Sequence, residues 1–161
     1  MAGVHQASLL QYQGISNIPE VVFESHRIDG EITIKSGYNW ESPYFTESSS
    51  VHSEKEVSLD GDSHFEQMVE LFLPFSDHDQ TYLQTLRERM RFVVDLIDRD
   101  GNRRLVGTKK EPLNILHTFS TQKGIGGRKG TVILLQGNTT ERAYFYNPTG
   151  TELEYTSGSG I

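Results

Sequence analysis

The chain contains no cysteine among its 161 residues. Disulfide frameworks, thiolate nucleophiles and cysteine-ligated metal centres are therefore excluded. No apolar run approaches the roughly 18 residues that a membrane-spanning helix needs. Residues 1–10 lack the basic flank and the long apolar stretch of a signal peptide, so we expect none. These absences predict a soluble chain with no membrane partner.

Catalytic and cofactor-binding motifs are also lacking. The glycine-rich run 124–131 ends in Lys129-Gly130-Thr131, whereas a phosphate-binding loop requires Gly-Lys-Ser/Thr before a helix. The acids of Asp77-His78-Asp79 suit a helix start better than a metal site, because adjacent residues rarely converge on one ion. No Gly-x-Ser-x-Gly elbow selects a catalytic triad. We expect no enzyme, no cofactor and no metal.

The charge of the chain is unevenly distributed. From Arg99 to Lys129 there are eight basic and two acidic residues, a net charge of +6, while the remainder carries seven basic and twenty acidic residues, a net charge of −13. Such a protein is suited to binding its own copies head to tail, basic stretch on acidic surface, or to binding an outside partner. The overall acidity argues against a general nucleic-acid binder. The basic residues are Arg99, Arg103, Arg104, Lys109, Lys110, Lys123, Arg128 and Lys129.

The hydrophobic patterning predicts a mainly β fold of the α+β class. Short alternating runs separated by Gly and Asp/Asn turns indicate about eight strands in a β-sandwich or a partly closed barrel. A hairpin is expected over 20–36, turning at Asp29-Gly30, and another around the sequence 98–102. One helix is expected over about 77–90, packed on one face or edge of the sheet.

Composition and patterning along the chain predict three parts. Residues 1–19 are expected to form an arm that orders only against a partner or neighbouring subunit. Residues 20–148 form the single β-rich domain, in which 37–64 is a long acidic inserted loop or an extended hairpin. Residues 149–161, rich in Gly and Ser, are expected to form a flexible tail.

The aromatic residues of the acidic loop form one cluster. Aromatic side chains are enriched at protein interfaces, and the acidic neighbours of this cluster do not suit nucleic-acid stacking. We therefore predict a subunit interface, which together with the basic stretch gives the candidate site. A carbohydrate-binding role for the same aromatic loop stays open as the alternative. The cluster comprises Tyr38, Trp40, Tyr44 and Phe45.

This combination of an arm, a long acidic loop and one helix between strands resembles small virion proteins of tailed bacteriophages, in the tail tube, tail terminator and neck ring group. The segment 91–107, RFVVDLIDRDGNRRLVG, is similar to segments of such proteins. The resemblance covers most of the chain as an architecture.

The resemblance implies a ring of identical subunits in the tail or neck, around a channel that DNA passes without sequence-specific binding. Arms and long loops would contact adjacent subunits and neighbouring virion proteins, and no catalytic residues are inherited. The protein would be localised to the virion, assembled in the host cytoplasm. The competing hypothesis is a monomeric β-sandwich module that binds a carbohydrate or a protein partner through 38–45.

Overall fold

The structure, a computed structural model, describes residues 3–43, 45, 50–74, 91–120 and 130–149, and for 117–120 the backbone alone. The mainly β fold predicted from the alternating patterns is confirmed. The described residues form twelve strands instead of about eight, because four of the strands are only two or three residues long. The strands are β1 (Val4–Gln11), β2 (Ile15–Asn17), β3 (Val21–Val22), β4 (Arg27–Asp29), β5 (Thr33–Ile34), β6 (Val51–Leu59), β7 (Asp62–Pro74), β8 (Arg91–Asp98), β9 (Arg103–Val106), β10 (Leu113–Ser120), β11 (Gly130–Thr139) and β12 (Tyr144–Asn147).

Six strands form a partly closed barrel. They follow the spatial order β1-β8-β10-β11-β7-β6, and all of these pairings are antiparallel. The ends of this series meet at one point, where Gly3 and Val51 form an isolated bridge and the Val4 amide donates to the Ser50 carbonyl at 3.1 Å. Closure at one point leaves the rest of β6 with β7 as its only neighbouring strand among the described residues.

Alternation along the strands fills the barrel with apolar side chains. On β7, Val69, Leu71 and Leu73 face inward, and on β8 Phe92 and Val94 do the same. These residues are 2 % exposed or less. Burial of a side chain of this size stabilises a fold by about 1.5–3 kcal/mol, so this cluster provides the main core.

A second layer covers the outer face of β8. The strand has two partners along one edge, β10 near its start and β9 further on, so the sheet divides there. The second branch continues through β12 and β4 to β3, and the small β2–β5 sheet lies apart from it. The second core cluster consists of Leu10, Ile15, Ile28, Ile32, Val93, Leu105 and Tyr146.

The prediction that residues 1–19 form an arm ordered only against a partner is wrong for the part that forms β1. This strand pairs with β8 from Val4 to Gln11, and its side chains enter both core clusters. A register shift between Val4 and Gln6 interrupts the alternation. That interruption hides the strand pattern in the sequence, although Leu9 and Leu10 are fully buried.

Two turn predictions have different outcomes. The hairpin around 98–102 is confirmed, with the Asp98 carboxylate accepting the amides of Asp100 and Asn102, each at 2.9 Å. In 20–36 the predicted turn is wrong, because β3 and β4 are joined through the 3-10 turn Phe23–Ser25 and a left-handed His26 at φ 51°. Gly30 instead directs the chain out of β4, and its amide donates to the Asn147 carbonyl.

Of the two predictions for 37–64, a long loop or an extended hairpin, the extended hairpin matches the later part of the segment. Strands β6 and β7 pair from Val51↔Glu70 to Leu59↔Asp62 around a turn at Asp60-Gly61. The predicted helix over 77–90, the glycine-rich run 124–129 and the tail 150–161 lie outside the described residues, as do Tyr44, Lys123, Arg128 and Lys129.

Candidate functional surfaces

The β6–β7 hairpin projects beyond the barrel. The last pairing between β7 and β11 joins Phe65 to Thr139, whereas the hairpin continues to the Leu59↔Asp62 pair. At about 3.4 Å per residue, the tip extends roughly 10 Å past its last supporting strand. We call residues 57–64 the hairpin tip. A two-stranded ribbon is at best marginally stable alone in water, so a partner would stabilise this one.

Exposed apolar side chains lie at both ends of the long sheet. Leu59 at the hairpin tip is 69 % exposed, and Phe23, beside the opposite edge strand β3, is 91 % exposed. Acidic residues surround Leu59, namely Glu56, Asp60 and Asp62, all of them exposed. The tip therefore combines one projecting leucine, negative charge and an open strand edge. These features together suit a protein contact.

The described residues of the predicted basic stretch do not all lie on one face. Arg103 and Arg104 are neighbours on β9, so their side chains point to opposite sides of the sheet. Arg103 donates to both Asp95 carboxylate oxygens, at 2.9 and 2.7 Å, and its guanidinium lies 5.4 Å from the Tyr146 ring centroid. The hydrogen bond to Asp95 is the main cause that raises the pKa of Arg103. This residue thus has a structural contact within the fold.

Of the other described cations of this stretch, three are exposed and Arg104 is half-buried. Arg104 stacks at 4.8 Å over the ring of Phe145, and Arg99 is exposed in the β8–β9 turn. Lys109 and Lys110 are exposed in the connection between β9 and β10. Glu111 fixes that connection by accepting the Thr140 amide at 3.0 Å. The lysine pair therefore lies next to the end of β11, at the end of the barrel from which the hairpin tip projects.

The predicted aromatic cluster is largely packed into the protein's own structure. Tyr38 and Trp40 are half-buried against the second core cluster, and Phe45 is half-buried against the barrel core. The Tyr38 ring occupies the space beside Gly14, where an added Cβ would lie 2.5 Å from Tyr38 Cγ. The described residues of 38–45 thus cover the fold, and Trp40 is a packing residue.

A buried polar network lies at the inner face of the barrel wall, and the sequence analysis missed it. Gln67 is 1 % exposed, and its amide donates to Glu54 Oε1 at 2.7 Å and to Thr139 Oγ1 at 3.2 Å. Its Oε1 is therefore left to accept from His52 Nε2, 3.0 Å away. Glu54 Oε1 also accepts the Ala143 amide at 2.7 Å. The signal for this network was a glutamine at an inward position of the β7 alternation.

Burial controls the protonation of His52. Desolvation is the largest effect and lowers the pKa of His52, while the hydrogen bond to Gln67 and the charge of Glu54 act in the opposite direction. Arg104 lowers the pKa further through its positive charge, and Asp98 raises it. The imidazole is therefore neutral at neutral pH and donates through Nε2.

Among the described residues, no group of three or more His, Cys, Asp or Glu side chains is arranged to hold a metal ion. In the same part of the chain, no helix has the length and apolarity needed to cross a bilayer. No family model matches the chain, and no match is found among curated proteins or solved structures.

Proposed function

We propose that the protein is a structural subunit that forms a homo-oligomeric ring through its hairpin tip. The observation that carries the proposal is the hairpin itself, which extends beyond its supporting strand and exposes Leu59 at 69 %. Docking on a neighbouring copy would cover the leucine and satisfy the open edge of β6. Such a contact joins two different surfaces, and repeated contacts of this kind close into rings or continue as filaments.

Charge complementarity supports a specific acceptor for the tip. Asp60 and Asp62 are exposed at the tip, and Lys109 and Lys110 are exposed at the same end of the barrel. In a ring, the copies are related by rotation, so equivalent residues lie at the same level along the ring axis. In a ring whose axis is parallel to the barrel, the acidic tip lies close to the level of the lysine pair of the next subunit.

We assign this ring to the tail or neck of a tailed bacteriophage on the resemblance described above. The mainly β architecture and the net charge of −7 support that assignment, whereas most of the expected N-terminal arm pairs within the barrel as β1. The DNA would pass through the lumen without sequence-specific binding, and neighbouring virion proteins would be the other partners. No described residue is assigned a catalytic role.

Charge reversal with rescue tests the contact. The double variant Lys109→Glu/Lys110→Glu is expected to weaken association by about tenfold or more, because two attractive pairs become repulsive. Adding Asp60→Lys/Asp62→Lys restores opposite charges and is expected to recover assembly. Sedimentation velocity at low and high salt measures both effects, and the wild-type assembly should loosen as salt screens exposed charges.

The matched control is Lys35→Glu/Arg91→Glu, which makes the same change of net charge at exposed positions outside the contact. Its assembly should equal that of the wild type. Equal weakening by both double variants would indicate a general charge effect, and failure of the rescue would contradict the pairing of the tip with Lys109 and Lys110.

A further inference from the structure

A preformed hollow lies beside β1, on the side facing the segment 37–41. Its volume is about 320 Å³, which lies at the lower end of the range for small-molecule sites. Leu9 and Phe92 border it but are 1 % exposed or less, so its accessible lining is mainly polar. The remaining lining residues are Gln11, Gly37, Tyr38, Asn39 and Glu41.

Backbone hydrogen bonds fix the wall of this hollow. Leu9 and Glu41 exchange amide-to-carbonyl bonds of 2.7 and 2.8 Å, which hold the segment on the free edge of β1. The Tyr38 amide donates to the Lys35 carbonyl, and Lys35 in turn is bonded to Gly14. Because the Tyr38 ring is also packed against Gly14, the hollow needs little reorganisation to receive a ligand.

The polar groups around the hollow have unused hydrogen-bonding capacity. Within the described part of the chain, the side chains of Gln11, Tyr38, Asn39 and Glu41 make no hydrogen bond or ion pair with protein groups. Two amides and a phenol offer donors and acceptors, while the carboxylate offers acceptors alone. None of the described residues that line the hollow is cationic, so its chemistry does not favour phosphate or carboxylate ligands.

We propose that this hollow binds a single neutral hexose unit of a glycan. Sugar hydroxyls both donate and accept, which matches the mixed set of amides, phenol and carboxylate. The C–H face of a pyranose can pack on the ring of Tyr38. The inference goes beyond ring formation and does not depend on it. It also places the sugar contact on Gln11, Tyr38, Asn39 and Glu41, with the Trp40 side chain outside.

The proposal is tested by titrating the full chain with four neutral sugars, glucose, galactose, mannose and N-acetylglucosamine. Saturation-transfer NMR reports contact, and fluorescence of Trp40, the only tryptophan and a neighbour of the lining residues, reports binding. At least one sugar is expected to bind saturably. Asn39→Ala is expected to weaken that sugar about tenfold, because it removes a donor and an acceptor.

The matched control is Asn17→Ala, since Asn17 is exposed on β2 and does not line the hollow. Its sugar affinity should equal that of the wild type. Failure of all four sugars to bind would overturn the proposal, and so would equal binding by wild type and Asn39→Ala.

A second titration with argininamide separates a sugar from a cationic side chain. If argininamide binds, is displaced by salt and is lost in Glu41→Gln, while the sugars do not bind, then the hollow receives a basic residue of another protein and the sugar proposal is wrong. Circular dichroism of each variant establishes that the fold is retained.

Discussion

The two halves of β7 show how one strand can serve both core and contact surface. From Gln67 to Leu73, every second side chain is buried in the barrel, and the strand pairs with β11 throughout and with β6 as far as Glu70. From Asp62 to Glu66 no side chain is buried, and beyond Phe65 the strand pairs with β6 alone among the described residues. The first of these segments is held by the protein's own core. The second gains most from a contact outside the monomer.

Truncation of one leucine in each half gives the largest expected contrast. Leu71→Ala removes a fully buried side chain and is expected to lower the free energy of unfolding by about 2–5 kcal/mol. Leu59→Ala removes an exposed side chain and should change that free energy by about 0.5 kcal/mol or less. Denaturant titrations at a concentration where the protein is monomeric measure both values. A large loss for Leu59→Ala in the monomer would show that the tip is already packed within one chain.

A smaller, pH-dependent effect on stability is expected from His52, which pairs with Val69 in the buried part of β7. The pKa of His52 is lowered in the folded chain, so below about pH 6.5 the unfolded state binds more protons than the folded state. Stability contributed by the neutral imidazole is therefore present above this pH and is lost as the pH falls towards the lowered pKa of the folded state.

Unfolding free energies of wild type and His52→Gln, measured from about pH 7 to about pH 5, isolate this contribution. The wild type is expected to lose more stability than the variant on acidification. Parallel pH profiles would contradict a desolvated neutral His52, and a steeper profile for the variant would indicate a raised pKa.

The inner half of β7 was predictable from the sequence, whereas the neighbouring β6 was not. Val69, Leu71 and Leu73 alternate as a strand with one buried face should. In contrast, β6 contains His52, Glu54, Lys55 and Glu56, which have little β propensity by themselves. Pairing with β7 determines its structure, so tertiary context outweighs local preference.

The candidate surfaces were predictable from the sequence only where strand alternation determines them. The opposite orientation of Arg103 and Arg104 follows from strand alternation once β9 is recognised. The lysine pair beside the hairpin, the Glu54–Gln67 network and the hollow at Tyr38 depend on contacts between strands and segments that are not adjacent in sequence. No local pattern contains that information, because the pairing of β7 with β11, the pairing of β6 with β7 and the bridge from Leu9 to Glu41 bring these residues together.

The most direct test compares the solution mass of the full chain with that of a chain whose hairpin is shortened. Replacing 57–64 by Asn-Gly joins Glu56 to Phe65 through a favoured two-residue turn and leaves the barrel pairings intact. Light scattering on a sizing column should give a discrete multiple of 18.2 kDa for the full chain and a monomer for the shortened chain. Equal masses for the two chains, whether monomeric or oligomeric, would contradict assembly through the hairpin tip.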